Sequence, residues 1–67
     1  MISVQSSNLA AVDYDGWGTL VIAFRSGGVY EYYHVPYSAY SALMNASSHG
    51  RYFHAHIQNR YSYRRIQ

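Results

Sequence analysis

Residues 19–35 read Thr19-Leu20-Val21-Ile22-Ala23-Phe24-Arg25-Ser26-Gly27-Gly28-Val29-Tyr30-Glu31-Tyr32-Tyr33-His34-Val35, and this stretch decides the fold. Its first part alternates. Leu20, Ile22 and Phe24 fall on one side of an extended chain, and Thr19, Val21, Ala23 and Arg25 on the other. Ser26-Gly27-Gly28 is a turn signal, and residues 29–35 return as a run of β-formers. Parity tests the register of the hairpin. A two-residue loop at Gly27-Gly28 pairs Phe24 with Glu31 and sets a carboxylate on the Leu20/Ile22/Phe24 face. A three-residue loop over 26–28 pairs Phe24 with Tyr30 and Ile22 with Tyr32, which buries rings and leaves Glu31 outside. Such a loop needs one left-handed residue, which Gly28 supplies without strain. We therefore expect Leu20, Ile22, Phe24, Tyr30 and Tyr32 together on one core face.

Working outward, residues 9–14 read as a strand that follows a polar start, Gln5-Ser6-Ser7-Asn8, and leads into the Asp15-Gly16 turn. The loop there could hold two to four residues, so the facing of that strand stays open. On the other side, Pro36 suits the first position of a helix, where its missing N–H costs nothing. At 100° per residue, Tyr37, Tyr40, Leu43 and Met44 share one stripe of a helix running to about Ala46. Ser47-Ser48 ends it and offers an N-cap for a second helix. In that helix Gly50, Phe53, Ile57 and Tyr61 share a face, while Tyr52, His56 and Asn59 face away. The tail, residues 61–66, is open between a short fourth strand and an extended arm. Strands followed by helices indicate an α+β fold: a three-stranded antiparallel β-meander and two α-helices packed on one of its faces, with or without a short C-terminal strand.

Sixty-seven residues leave room for one domain, spanning 1–67, and only a small core. With no cysteine, neither a disulfide nor a thiolate metal site can staple it. Nine Tyr, two Phe and one Trp supply the packing instead, because each aromatic ring buries roughly 150–250 Å². The first residues lack the basic and apolar regions of a signal peptide, and no apolar run approaches the ~18 residues that span a bilayer. A cytoplasmic protein is expected.

The ordered set Ser6-Ser7, Tyr14-Asp15, Leu20-x-Ile22-x-Phe24, Gly28-x-Tyr30-x-Tyr32 and Val35-Pro36 resembles the KTSC domain. The likeness continues through Tyr40, Leu43, Ala46-x-Ser48-x-Gly50, Tyr52-Phe53, Ile57 and Tyr61, so it covers nearly the whole chain. That family takes its name from a domain at the C-terminus of some lysyl-tRNA synthetases, and it also occurs as free-standing small bacterial proteins. The resemblance implies no catalytic or ligand residues. It associates the domain with RNA only through the company it keeps.

Charge gives a more physical lead. Asp13, Asp15 and Glu31 all lie in the first half, whereas from Tyr32 onward there are four Arg, four His and no acid. Arg51-Tyr52, Arg60-Tyr61 and Tyr63-Arg64-Arg65 interleave guanidinium with ring. Single-stranded nucleic acid is bound in this way, with Arg on phosphates and bases stacked on aromatics. We expect a non-catalytic module that binds RNA or other single-stranded nucleic acid through Arg51, Tyr52, His56, Arg60, Tyr63, Arg64 and Arg65. The alternative is a protein-interaction or homodimer module that uses the sheet face opposite the core, through Val21, Ala23, Val29, Tyr33 and Val35.

Enzymatic function is not expected. No Cys nucleophile, Gly-x-Ser-x-Gly elbow or phosphate-cradling loop is present. The remaining option is metal-free RNA cleavage with His54 or His56 as base and Arg64 on the phosphorane. His54 and His56 would project about 200° apart on a helix, and His34 and His49 complete no ligand spacing, so neither a metal nor another cofactor is expected.

Overall fold

The computed structural model describes residues 1–67. Two helices lie over an antiparallel sheet of five strands: β1 (Ile2–Ser3), β2 (Leu9–Tyr14), β3 (Leu20–Phe24), β4 (Val29–Tyr32), α1 (Tyr37–Asn45), α2 (His49–His56) and β5 (Tyr63–Arg65). The strands stand in sequence order, β1-β2-β3-β4-β5. The expected three-stranded meander is the middle of this sheet. The tail does form a strand, on the outer side of β4, and a strand not anticipated at the N-terminus pairs with β2. Two residues are too few to carry an alternation. The segment that follows β1 is tied down from a distance: the Arg25 side chain donates to the Ser6 carbonyl and, at 3.2 Å, to that of Val4.

The core face is the one the alternation requires. Leu20, Ile22 and Tyr32 are buried, with Phe24 and Tyr30 packed at the margin. The register differs by two residues from expectation. Ile22 pairs with Tyr30 and Leu20 with Tyr32. The loop has three residues, but they are 25–27: the Phe24 N–H donates to the Gly28 carbonyl at 2.9 Å, and the Gly27 N–H to that of Phe24 at 2.9 Å. The left-handed residue is therefore Gly27, at φ 117°, and not Gly28. Gly28 sits under the Tyr30 ring, where a Cβ would meet Cε1 at 2.8 Å, so the ring takes the place of the missing side chain. Moving the loop by one residue shifts both flanks together, and the inward set is preserved.

In β2 an irregularity between Leu9 and Ala11 lets Leu9 and Val12 both turn inward, where each is fully buried. The turn after β2 is organised by Asp15. Its carboxylate accepts from the Trp17 N–H at 2.7 Å and the Thr19 N–H at 3.0 Å. These bonds hold the carboxyl below its ordinary value. Trp17, at the tip, is 93% exposed.

Pro36 is the N-cap of α1, so the helix starts one residue later than expected; its carbonyl accepts from the N–H groups of Ala39 and Tyr40. Leu43 is buried, Tyr40 and Met44 pack beside it, and Tyr37 lies exposed at the edge of the stripe. The expected N-cap of α2 is in place: the Ser48 hydroxyl accepts from the Arg51 N–H at 3.2 Å. Gly50, Phe53 and Ile57 then turn inward. A Cβ on Gly50 would lie 3.3 Å from that of Asn8, which shows how closely α2 approaches the turn before β2. The core is completed by Val4, Leu9, Val12 and Val35.

Candidate nucleic-acid interface

Four of the seven expected contact residues gather on the outer side of α2. Tyr52 and His56 are one turn apart, and their rings lie 4.4 Å apart, centroid to centroid. On one side of this pair a groove of about 360 Å³ runs against the start of α1, lined by Pro36, Ser38, Ala39, Arg60 and Tyr61. On the other side a groove of about 260 Å³ reaches Arg51 and the Ser47-Ser48 turn. Tyr52 was expected to face away. It is instead half-buried, with its ring against the core margin, because a long helical side chain leans over the turn that precedes it.

The remaining three residues lie on β5 and separate by strand alternation. Tyr63 pairs with Tyr32 and Arg65 with Tyr30, on the helix side of the sheet. The Arg65 guanidinium lies 5.9 Å from the Tyr30 ring centroid. Arg64 pairs with Glu31 and points to the opposite face, where its guanidinium is 3.5 Å from the Glu31 carboxylate. The arginines therefore do not converge. Arg51 and Arg60 flank one ring pair, Arg65 covers the strand edge, and Arg64 is spent on a neighbouring acid across the sheet.

That division also sorts the charge. Asp13 and Glu31 share the far face with Arg64, and Asp15 is tied into its turn. The Tyr33 hydroxyl donates to Glu31 at 2.8 Å, which raises its pKa above the ordinary value because the bond holds the proton. The side of the molecule formed by α2 has no acidic residue.

A second concave feature escaped the sequence reading. Between the helix-side face of β4–β5 and the C-terminal half of α2 lies a cleft of about 290 Å³. Its walls are the rings of Phe24, Tyr30, Tyr32, Phe53 and Tyr63, and its rim is polar. His54 organises the rim: Nδ1 is 2.7 Å from Gln58 Oε1, and Nε2 is 2.8 Å from Asn8 Nδ2. With Nδ1 carrying the proton, both contacts are hydrogen bonds. The spacing of His54 and Gln58, four apart on a helix, was the available signal. Asn8, 46 residues distant from His54, left none. His54 and His56 point apart as expected, and no three His, Cys, Asp or Glu side chains gather anywhere in the structure. No helix is long and apolar enough to cross a membrane.

The sequence profile of the KTSC domain matches residues 5–61. The chain belongs to the KTSC domain family. It superimposes on the crystal structure of a KTSC domain protein from Yersinia pestis with a TM-score of 0.93 and 36% identity, covering 97% of this chain and 93% of that one. Lysine–tRNA ligases carry a related segment: that of Trichormus variabilis is 44% identical over 48 residues, and that of Nostoc punctiforme 42% over 48. These alignments cover 72% of the KTSC chain and 9% of each ligase. Within the matched span lie Arg51, Tyr52, His56 and Arg60, whereas β5, with Tyr63, Arg64 and Arg65, follows it.

The other surface considered, the far side of the KTSC sheet, keeps four of its five residues. Val21, Ala23 and Val29 are half-buried there beside Ala11, with Tyr33 over Glu31. Val35 is not among them: it is buried in the core. Strand alternation stops at Tyr32, and His34 takes a left-handed conformation, φ 58°. That reverses the chain, so the Val35 N–H donates to the Gly18 carbonyl at 2.8 Å and its carbonyl accepts from the Tyr14 hydroxyl at 2.7 Å.

Proposed function

We propose that this KTSC domain is a non-catalytic module that binds single-stranded RNA along the outer side of α2. The observation that carries the proposal is the placement of Arg51 and Arg60 on either side of the Tyr52–His56 ring pair, on a surface without a carboxylate. Guanidinium groups pair with phosphates, and exposed ring faces stack on bases whatever their sequence. The resemblance to segments of proteins named lysine–tRNA ligase supports the same assignment. The interface needs no metal or cofactor. It belongs in the cytoplasm, where unpaired RNA is plentiful.

Two arginines make for weak and salt-sensitive binding. Each phosphate neutralised on a single strand contributes about 0.7 to the slope of log K against log salt. Fluorescence anisotropy of a labelled oligonucleotide, titrated with protein at several salt concentrations, tests this. The Arg51→Ala/Arg60→Ala double variant should lower the slope by about 1.4. Tyr52→Ala should weaken binding about tenfold, the loss of one stacked base. Arg64→Ala should leave binding unchanged. The proposal fails if native protein shows no salt-sensitive binding, or if Arg64→Ala weakens it as much as the α2 variants do. Long RNA incubated with the protein should remain intact.

A further inference from the structure

We propose that the aromatic cleft between β4–β5 and the end of α2 is a pocket for a single nucleobase, supplied either as a free nucleoside or as an unpaired base of RNA. Only the second source rests on the RNA-binding assignment above. Tyr32 is the observation that points to a ligand. The residue is 4% exposed, the most buried tyrosine of the cleft, and no protein group hydrogen-bonds its hydroxyl. That oxygen is not sealed from solvent either, since no buried side-chain oxygen is left without a partner. The hydroxyl therefore opens into the cleft that the ring lines. A donor at the foot of an aromatic cleft, with no protein partner to compete for it, is free to bond a ligand that enters.

The chemistry of the walls narrows the ligand. Tyr32 and Tyr63 lie 5.6 Å apart, and Tyr30 and Tyr63 5.9 Å apart. Tyr63, the outer ring, is 57% exposed and offers a face for stacking. The cleft is lined by no carboxylate, Lys or Arg, so a neutral ligand suits it. Its volume, about 290 Å³, lies at the lower end of small-molecule sites, ~300–1,000 Å³, and admits one ring system rather than two stacked bases. A polar edge is also required. The hydrogen bonds of His54 occupy one end of each amide it touches and leave Asn8 Oδ1 as a free acceptor and Gln58 Nε2 as a free donor. With the Tyr32 hydroxyl these form the mixed donor and acceptor pattern that a base edge carries. Burial and the neighbouring phenols Tyr30 and Tyr63 push the Tyr32 pKa up to about 12, so this donor keeps its proton throughout the neutral range.

Nucleosides carry no phosphate, which separates this pocket from the basic surface of α2. Two-dimensional NMR of the labelled chain is titrated with adenosine, guanosine, cytidine and uridine, and then with a short single-stranded oligonucleotide. At least one nucleoside should shift the side-chain amide signals of Gln58 and Asn8 saturably and with little dependence on salt. Tyr32→Phe should weaken that binding about tenfold. Tyr63→Ala should do the same, while Tyr63→Phe, which keeps the wall, should not. If only the oligonucleotide shifts these signals, and Tyr32→Phe weakens it, the base comes from RNA and the pocket stands. If neither shifts them, or if Tyr32→Phe binds as well as native protein, the pocket is refuted. In that case salt-sensitive RNA binding that depends on Arg51 and Arg60 would still hold.

Discussion

Two tyrosines in this domain should respond in opposite ways to losing the same atom. Tyr14 donates its hydroxyl to the Val35 carbonyl at 2.7 Å, and Val35 is buried. Tyr14→Phe keeps the ring, which stacks on Tyr40 at 4.7 Å and 9°, and strands that carbonyl away from water. A buried polar group deprived of its partner costs ~1–3 kcal/mol. Because the bond is only partly buried, we expect about 1.5 kcal/mol, near the lower end of that range. Tyr32→Phe removes a hydroxyl that no protein group contacts, so the change should lie within about 0.5 kcal/mol of zero or stabilise slightly. For a chain of 67 residues, total stability at ~0.05–0.15 kcal/mol per residue comes to about 3–10 kcal/mol, so the Tyr14 effect is a sizeable fraction. Urea denaturation at neutral pH measures both. With a slope near ~1 kcal/mol per molar for so small a domain, the Tyr14→Phe midpoint should fall by about 1.5 M and that of Tyr32→Phe should stay. Far-UV circular dichroism is the suitable probe, because Trp17 is already 93% exposed in the folded state. Equal midpoints for the two variants, or a larger loss for Tyr32→Phe, would refute this account of where the hydroxyls point.

Three further outcomes follow from particular contacts. The Tyr32 pKa is raised from its ordinary 10.0 to about 12, by desolvation first and by Tyr30 and Tyr63 next. A folded-state value above the unfolded one stabilises fully below pH ~10, and that contribution is lost as pH climbs toward ~12. In a spectrophotometric alkaline titration, two of the nine tyrosines, Tyr33 and Tyr32, should therefore ionise later than the rest, and Tyr32→Phe should delete the last step. Gly27→Ala should cost ~1–2 kcal/mol in urea denaturation through backbone strain alone, since a Cβ there meets nothing; no loss would mean that the hairpin loop is not residues 25–27. Gly50→Val should destabilise by ~1–3 kcal/mol, because the added atoms press on Asn8 and Ser6 where α2 comes closest to the turn before β2; an unchanged melting temperature would contradict that approach.

What the sequence could disclose was whatever is periodic or capped. The alternation through Leu20, Ile22 and Phe24 and its echo at Tyr30 and Tyr32 defined the inner face even though the pairing lies two residues away, because a one-residue shift of a three-residue loop changes the register by two and conserves parity. Ser48 announced α2 by its chemistry. The features that escaped depend on distant partners. β1 is two residues long, and the segment after it is held by the distant Arg25. Val35 turns inward because strand alternation ends at Tyr32, and nothing in the residue types marks His34 as left-handed. The basic residues were grouped because they are neighbours in sequence. On a strand, neighbours in sequence are the residues most certain to part, and Arg64 and Arg65 stand on opposite faces. The rim of the cleft joins Asn8 to His54 across most of the chain, a pairing that no local pattern encodes.

The two outermost strands, of two and three residues, also govern how such domains meet one another. Each lateral border of the sheet offers only a stub of open backbone, too brief to template a neighbour's strand. Were β5 peeled away, the Val29–Tyr32 segment, rich in β-formers and ring-bearing, would become an uncovered border of the kind that recruits foreign chains. The short terminal strand thus acts as a selvedge. It keeps the tyrosine-rich Val29–Tyr32 segment paired along its whole length.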